Sequence, residues 1–269
     1  MRITRDFPLA SAAAGIVMAF MASNLPVQAQ TAADAALDLA NMLDGAGGGV
    51  SSDAYISALE NAAAAGQPMA LWQLGTMYEN GEGVAKDPAR AFGYFAQIAD
   101  QHADAAPRGL EADIVARSFV KLSDYYKDGM PDAGVSQDRV EYYKVLLHAA
   151  SYFGDADAQY KVGLLYQQED GLGFSPVLSA RWLRAAADNG HCLAQASLGD
   201  LLFNGAEGYA PQPVEGLKWL IVAHRDCTGT LDQPQVDEMA TRAMSVARAE
   251  DRAIAASLAD AEIAQNANF

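Results

Sequence analysis

Apolar positions recur along most of this chain at helical spacing, and the helices themselves recur. Three stretches align residue for residue. They run Gly66, Ala70, Leu74, Gly75, Tyr78; Gly154, Ala158, Val162, Gly163, Tyr166; and Gly190, Ala194, Leu198, Gly199, Leu202. In each, a glycine is followed by alanine four residues on and by a larger apolar residue four after that. A second glycine comes next, and a large apolar side chain three residues later. Steps of three and four place the apolar members on one helix face. A pattern that returns at fixed register marks a stack of supersecondary units, and such stacks present extended surfaces for binding other macromolecules.

Each unit reads as two antiparallel helices, A and B. A leading helix over 54–65 is capped by Asp53 and closed by Gly66. In the first unit, helix A spans about 68–79, ends at Asn80-Gly81-Glu82-Gly83, and helix B follows Asp87-Pro88 to about Ala99. In the second, helix A carries Leu122 and Tyr126 and stops at Gly129. Its helix B follows Asp138 and holds Val145, Leu146, Ala149 and Ala150. In the third, helix A covers about 156–168, and Ser175-Pro176 opens helix B. In the fourth, helix A covers about 192–203, and helix B holds Leu217, Trp219, Leu220 and Ala223. Beyond a Thr228-Gly229-Thr230 linker, Asp232 and Pro234 start an amphipathic segment that caps the end of the stack, as repeat proteins require.

Gly75, Gly163 and Gly199 sit inside helices, where each costs about 1 kcal/mol relative to alanine. Three such costs at one register imply close approach of a neighbouring helix. The small residues of helix B at Ile98-Ala99, Ala149-Ala150 and Ala186-Ala187 are the expected partners. Tyr78, Tyr126, Tyr166, Trp182 and Trp219 fall at helical spacing and read as core packing.

The second unit breaks the pattern. Ile114 stands where the leading glycine belongs, and Ser123 where the helix glycine belongs. The seam residues Leu74, Leu122, Val162 and Leu198 are separated by 48, 40 and 36 positions. Against the tightest spacing, 12 residues are inserted within 100–114. Such insertions map to loops on one face, either a binding face or a tolerated surface loop.

The start of the chain bears on where it works. Arg2 and Arg5 precede an apolar run to about Leu25, and Val27-Gln28-Ala29 forms a small-residue cleavage site. This is the pattern of a secretory signal peptide cut after Ala29. The competing reading is a membrane anchor, but Ser11, Gly15, Ser23 and Asn24 interrupt a run already short for a span. The expected organisation is a signal peptide at 1–29, a leader helix and glycine-rich joint at 30–51, a repeat solenoid at 52–228 and capping helices at 229–269. Losing the leader takes the formal charge from −16 to −17. Nucleic acid is a poor partner for so acidic a chain without Lys/Arg patches, and the mature chain is not expected to enter a membrane.

The unit A-x3-L-G-x2-Y-x2-G-x-G-V-x2-D, from Ala70 to Asp87, resembles the Sel1-like repeat, a relative of the tetratricopeptide solenoids. The resemblance covers roughly 54–226 and implies an all-α, right-handed α/α solenoid. A narrower resemblance rests on the leader, the run Leu122-Ser123-Asp124-Tyr125-Tyr126-Lys127-Asp128-Gly129-Met130-Pro131-Asp132, the Phe153-Gly154 and Ala158-Gln159 junction, and Glu250-Asp251-Arg252-Ala253-Ile254. In these the chain is similar to the ExoR family, periplasmic negative regulators of exopolysaccharide production. That resemblance implies a non-enzymatic regulator that binds the periplasmic sensing domain of a membrane histidine kinase and holds it off, with a periplasmic protease as a further partner. It carries over no partner-binding residues. The glycine-rich stretch at 45–49 and the cysteine pair depart from it. A general cell-envelope scaffold is the alternative, and an envelope hydrolase a third reading from another class.

Nothing in the residues favours that third reading. No H-E-x-x-H, G-x-S-x-G or phosphate loop is present, and no cofactor is implied. Gly171-Leu172-Gly173 reads as a repeat turn. The one cluster with chemistry is Cys192 with Cys227, the only cysteines. They open helix A and close helix B of the fourth unit, so an antiparallel hairpin brings them to one end. In an exported chain an even pair reads first as a disulfide. Free thiols are one alternative, and a zinc site completed by His191 and His224 the other. The zinc site is disfavoured because adjacent His191 and Cys192 diverge by about 100° on a helix.

Overall fold

The computed structural model describes residues 52–266, so the expected signal peptide, its cleavage point at Ala29 and the segment 30–51 lie outside the described residues. Among the described residues there are eleven α-helices and no strand. They fall into two compact units that meet at Tyr142 and Tyr143. The first holds α1 (Ser52–Ala64), α2 (Pro68–Asn80), α3 (Pro88–His102) and α4 (Ala112–Asp128). Helix α5 (Arg139–His148) straddles the division. The second holds α6 (Ala156–Leu165), α7 (Pro176–Asp188), α8 (Cys192–Asn204), α9 (Pro213–Asp226), α10 (Gln233–Val246) and α11 (Ala249–Asn266). In both, each helix B lies along its own helix A: α3 on α2, α7 on α6, α9 on α8.

Local chemistry sets the helix ends. The Asp87 carboxylate accepts from the Arg90 amide at 3.1 Å ahead of Pro88, and Asp155 accepts from the Ala158 amide at 2.8 Å. Both supply a partner for an amide that the first turn cannot pair internally. The leading glycines Gly66, Gly154 and Gly190 adopt φ of 79°, 73° and 80°. That left-handed conformation is costly for any side chain bearing a Cβ, which explains the fixed glycine at this position.

The helix glycines do mark close approach, but not against the small residues expected. A Cβ on Gly75 would stand 2.6 Å from Phe95 Cε1, and one on Gly163 2.8 Å from Leu183 Cγ. At Gly199 it would meet Leu220 Cγ at 2.8 Å and the Gly216 carbonyl oxygen at 2.9 Å. The space a glycine leaves is thus filled by the large residue at the middle of helix B. Phe95, Leu183 and Leu220 lie at the core of the hairpin, with 0–1% exposure. The alanines and Ile98 lie further along helix B and are buried as well. In α8 and α9 even the backbones touch, because Gly216 faces Gly199.

Several boundaries differ from expectation: the leading helix already starts at Ser52, with Asp53 inside its first turn, and α5 gives way at Ala149 to a π-helical turn that runs to Phe153. Helix α3 runs on to His102, absorbing the first inserted residues, and His102 Nε2 sits 3.0 Å from the Gly66 carbonyl oxygen. The rest of the insertion forms the turns before α4, with Leu110 fully exposed. Helix α6 stops at Leu165 rather than near 168, leaving Tyr166 half-buried at its end. The following loop folds back so tightly that a Cβ on Gly171 would fall 2.2 Å from the Leu165 carbonyl oxygen. In the irregular second repeat, buried Ser123 donates to the Val120 carbonyl at 2.7 Å, so the hydroxyl that replaces the helix glycine is satisfied within its own helix.

Candidate functional site

In the first unit, polar side chains gather where α2 meets α3 and α4. Lys121 Nζ lies 2.5 Å from Glu79 Oε2. Arg90 donates to the Tyr78 hydroxyl at 2.8 Å, and the Tyr78 ring stacks on Tyr94. The Tyr125 hydroxyl is buried with no hydrogen-bond partner, and burial with Glu79 nearby pushes its pKa up to about 12.

In the second unit the fourth hairpin is closed covalently. Cys192 and Cys227 form a disulfide with a Cα–Cα distance of 5.5 Å, tying the start of α8 to the end of α9. Cys227 is fully buried against Ala196, Ala223 and Val236. The two histidines considered with the cysteines are engaged elsewhere. His191 Nδ1 accepts from the Ala194 amide at 3.2 Å, and its ring stacks on Tyr160. His224 Nδ1 lies 2.6 Å from Asp237 Oδ1. Among the described residues no group of three or more His, Cys, Asp or Glu side chains is placed to hold a metal ion.

A charged network joins α7, α9 and α11. Lys218, only 8% exposed, lies 3.1 Å from Glu215 Oε1 and 3.3 Å from Glu262 Oε2. Its ammonium also sits 4.2 Å from the centre of the Trp219 ring. Arg184 pairs with Glu215 at 3.4 Å, and Trp219 Nε1 donates to the same carboxylate at 3.1 Å. Burial works against ionised Glu215, but Lys218 and Arg184 outweigh it and hold the carboxyl below its usual value. Burial lifts Asp188 in the same neighbourhood. A cation as buried as Lys218 is costly unless paired, and here it has two carboxylates and a ring face. The Glu215–Lys218 part of this network was legible as an (i, i+3) pair beside Trp219. Arg184 and Glu262 are 31 and 44 positions from their partners, and no local pattern announces them.

Between α9 and α10 runs a groove of about 670 Å³, lined by Ile221 and His224 on one wall and by Asp237, Thr241, Met244 and Ser245 on the other. It too escapes sequence reading, since one of its walls is a capping helix whose docking angle no pattern specifies. No helix among the described residues is long and apolar enough to cross a membrane.

Three segments of the chain, 68–102, 156–191 and 192–223, match the Sel1 repeat family. They correspond to α2–α3, α6–α7 with the turn after it, and α8–α9. The irregular second repeat, which supplies α4 and α5, is not among them. A solved Sel1 repeat protein from Oxalobacter formigenes has the same fold, with a TM-score of 0.58 at 23% identity over 82% of this chain and 89% of that one. A protein from Rhizobium meliloti (strain 1021) described as an exopolysaccharide production negative regulator is 29% identical over 214 residues, 80% of this chain and 77% of its own length. One from Rhizobium leguminosarum bv. viciae with the same description is 30% identical over 203 residues, 76% and 73% respectively. With one relative 30% identical and matched over nearly three-quarters of its own length, and with Sel1 repeats in three of its segments, the chain belongs to the Sel1-repeat family of exopolysaccharide production negative regulators.

Proposed function

We propose that this chain is a periplasmic, non-enzymatic regulator that binds the sensing domain of a membrane histidine kinase and represses two-component signalling controlling exopolysaccharide production. The observation that carries the reading is the similarity to two negative regulators over about three-quarters of their length. Physical features agree with it. Helical hairpins offer broad surfaces for protein partners, and a disulfide persists in an oxidising compartment such as the periplasm. A leader removed after Ala29 delivers the chain there, and a periplasmic protease ends its action.

The test is binding of the chain from residue 30 onward to the purified periplasmic domain of the cognate kinase, by pull-down and calorimetry. A complex at micromolar concentration or tighter is expected, together with lowered kinase autophosphorylation in membranes. No complex at tens of micromolar overturns the reading.

A further inference from the structure

We propose that the groove between α9 and α10 is the seat for an amphipathic helix of a partner protein, one that carries a basic residue beside its apolar stripe. The groove exists because the last hairpin is built differently from the others. Helix α11 does not lie along α10 but turns back over α9. Three contacts hold it there. The Arg252 guanidinium donates to the carbonyls of Met244 and Ala247 at the end of α10. Ala255 and Ala259 are fully buried, Ala255 against Leu217 and Leu220 of α9. Glu262 pairs with Lys218. Helix α10 is thereby left without the lengthwise antiparallel neighbour that α2, α6 and α8 each have, and the vacant place is the groove.

The walls fit a helix. Asp237, Ala240, Thr241, Met244 and Ser245 step along one face of α10 at intervals of three, one, three and one, and Ile221 and His224 step by three along α9. Parallel rows of this kind accept the apolar i, i+3, i+4 and i+7 positions of a docked helix, and methionine adapts to the shape it meets. The charge at the rim selects the flank. Asp237 is paired with His224, which carries charge only when protonated, and with the neutral amide of Gln233 at 3.5 Å. It therefore has no permanent counter-charge, and a lysine or arginine on the incoming helix supplies one. The formal charge of −16 draws a basic segment from a distance.

This inference rests on the reading of the chain as a partner-binding regulator, and the experiment separates the two. The probe is a fluorescein-labelled 18-residue helix with leucine at i, i+3, i+4 and i+7 and lysine on its flanks, compared with the same helix bearing glutamine or glutamate instead. Binding is followed by anisotropy and mapped by amide shifts. The lysine helix is expected to bind most tightly, with shifts confined to α9 and α10. Thr241→Trp or Ser245→Trp, both at exposed positions, should weaken it at least tenfold with an unchanged melting temperature. Asp237→Asn should erase the advantage of the lysine helix, about three- to fivefold for one half-exposed pair, and leave the glutamine helix unaffected. Shifts elsewhere, equal binding of the glutamate helix, or concentration-dependent self-association lost in Thr241→Trp each overturn the proposal, the last by showing that a second copy fills the groove. Thr241→Trp protein that still binds the kinase domain fully overturns the groove as its seat and leaves the proposed function standing.

Discussion

Replacing Gly199 by alanine sets two energies against each other. Alanine is favoured over glycine inside a helix by about 1 kcal/mol. The added methyl would stand 2.8 Å from Leu220 Cγ, 2.9 Å from the Gly216 carbonyl oxygen and 3.0 Å from the Leu220 amide nitrogen. Two of these atoms are backbone of a packed helix and cannot swing aside, so the cost falls at the upper end of the 1–3 kcal/mol typical of overpacking. The net expectation is destabilisation by about 2 kcal/mol, or roughly 4–8 °C in melting temperature for a chain of this size. Gly75→Ala meets only the edge of the Phe95 ring, a side chain that can tilt, and should lose less. Gly93→Ala is the control. Gly93 is exposed within α3 and has nothing within 4 Å of its Cβ, so it should gain the full propensity term of about 1 kcal/mol. Thermal melts by circular dichroism and urea midpoints should therefore rank the variants Gly93→Ala, wild type, Gly75→Ala, Gly199→Ala. A Gly199→Ala protein that melts at or above wild type would show that α8 and α9 are not in backbone contact, and the packing argument would fall.

Three further expectations can be checked on the same protein. Reducing the Cys192–Cys227 disulfide, or replacing both residues by serine, releases a loop of 35 residues' separation and should cost about 4 kcal/mol in the chain-entropy picture; a melting temperature unchanged by dithiothreitol contradicts this. The stability gap between wild type and Glu215→Gln should depend on pH in one direction. The folded-state pKa lies below the ordinary 4.5, so the contribution is complete above that value and fades as pH falls through the lowered one; a gap that widens in acid speaks against the pairing. Tyr125→Phe removes a buried hydroxyl without a partner and should be neutral or stabilising by about 1 kcal/mol, where a clear loss of stability would mean that the hydroxyl has a bound water or ligand.

The repeat hairpins were legible because their constraints are local. Gly66, Gly154 and Gly190 are required by backbone conformation, and Asp87 by an unpaired amide of the first helical turn, and both leave a mark within four residues. Gly75, Gly163 and Gly199 announced a close approach but not the residue that approaches. That depends on how far helix B slides along helix A, which loop lengths set only loosely. Beyond the local Glu215–Lys218 pair, the Lys218 network and the groove were not legible, since Arg184 comes from a helix 31 positions away and Glu262 and the groove depend on where α11 comes to rest. Two of its three largest apolar residues, Ile254 and Leu258, are 44% and 42% exposed while Ala255 and Ala259 are buried. A reading that assigns the biggest hydrophobes to the core turns this helix the wrong way.

The fold-back of α11 also says how the chain can change length. A repeat stack grows by adding hairpins at an open end, each new pair landing on the face the last one exposed. Here that landing site is taken at α9 by a helix clamped through Arg252 at one end and Glu262 at the other. A hairpin duplicated after α10 would have to evict it and strand Lys218 without one of its two carboxylates. Extension is thus blocked at this end, and a designer lengthening the protein should insert new hairpins upstream of α8, where the regular glycine register provides a matching seam on both sides.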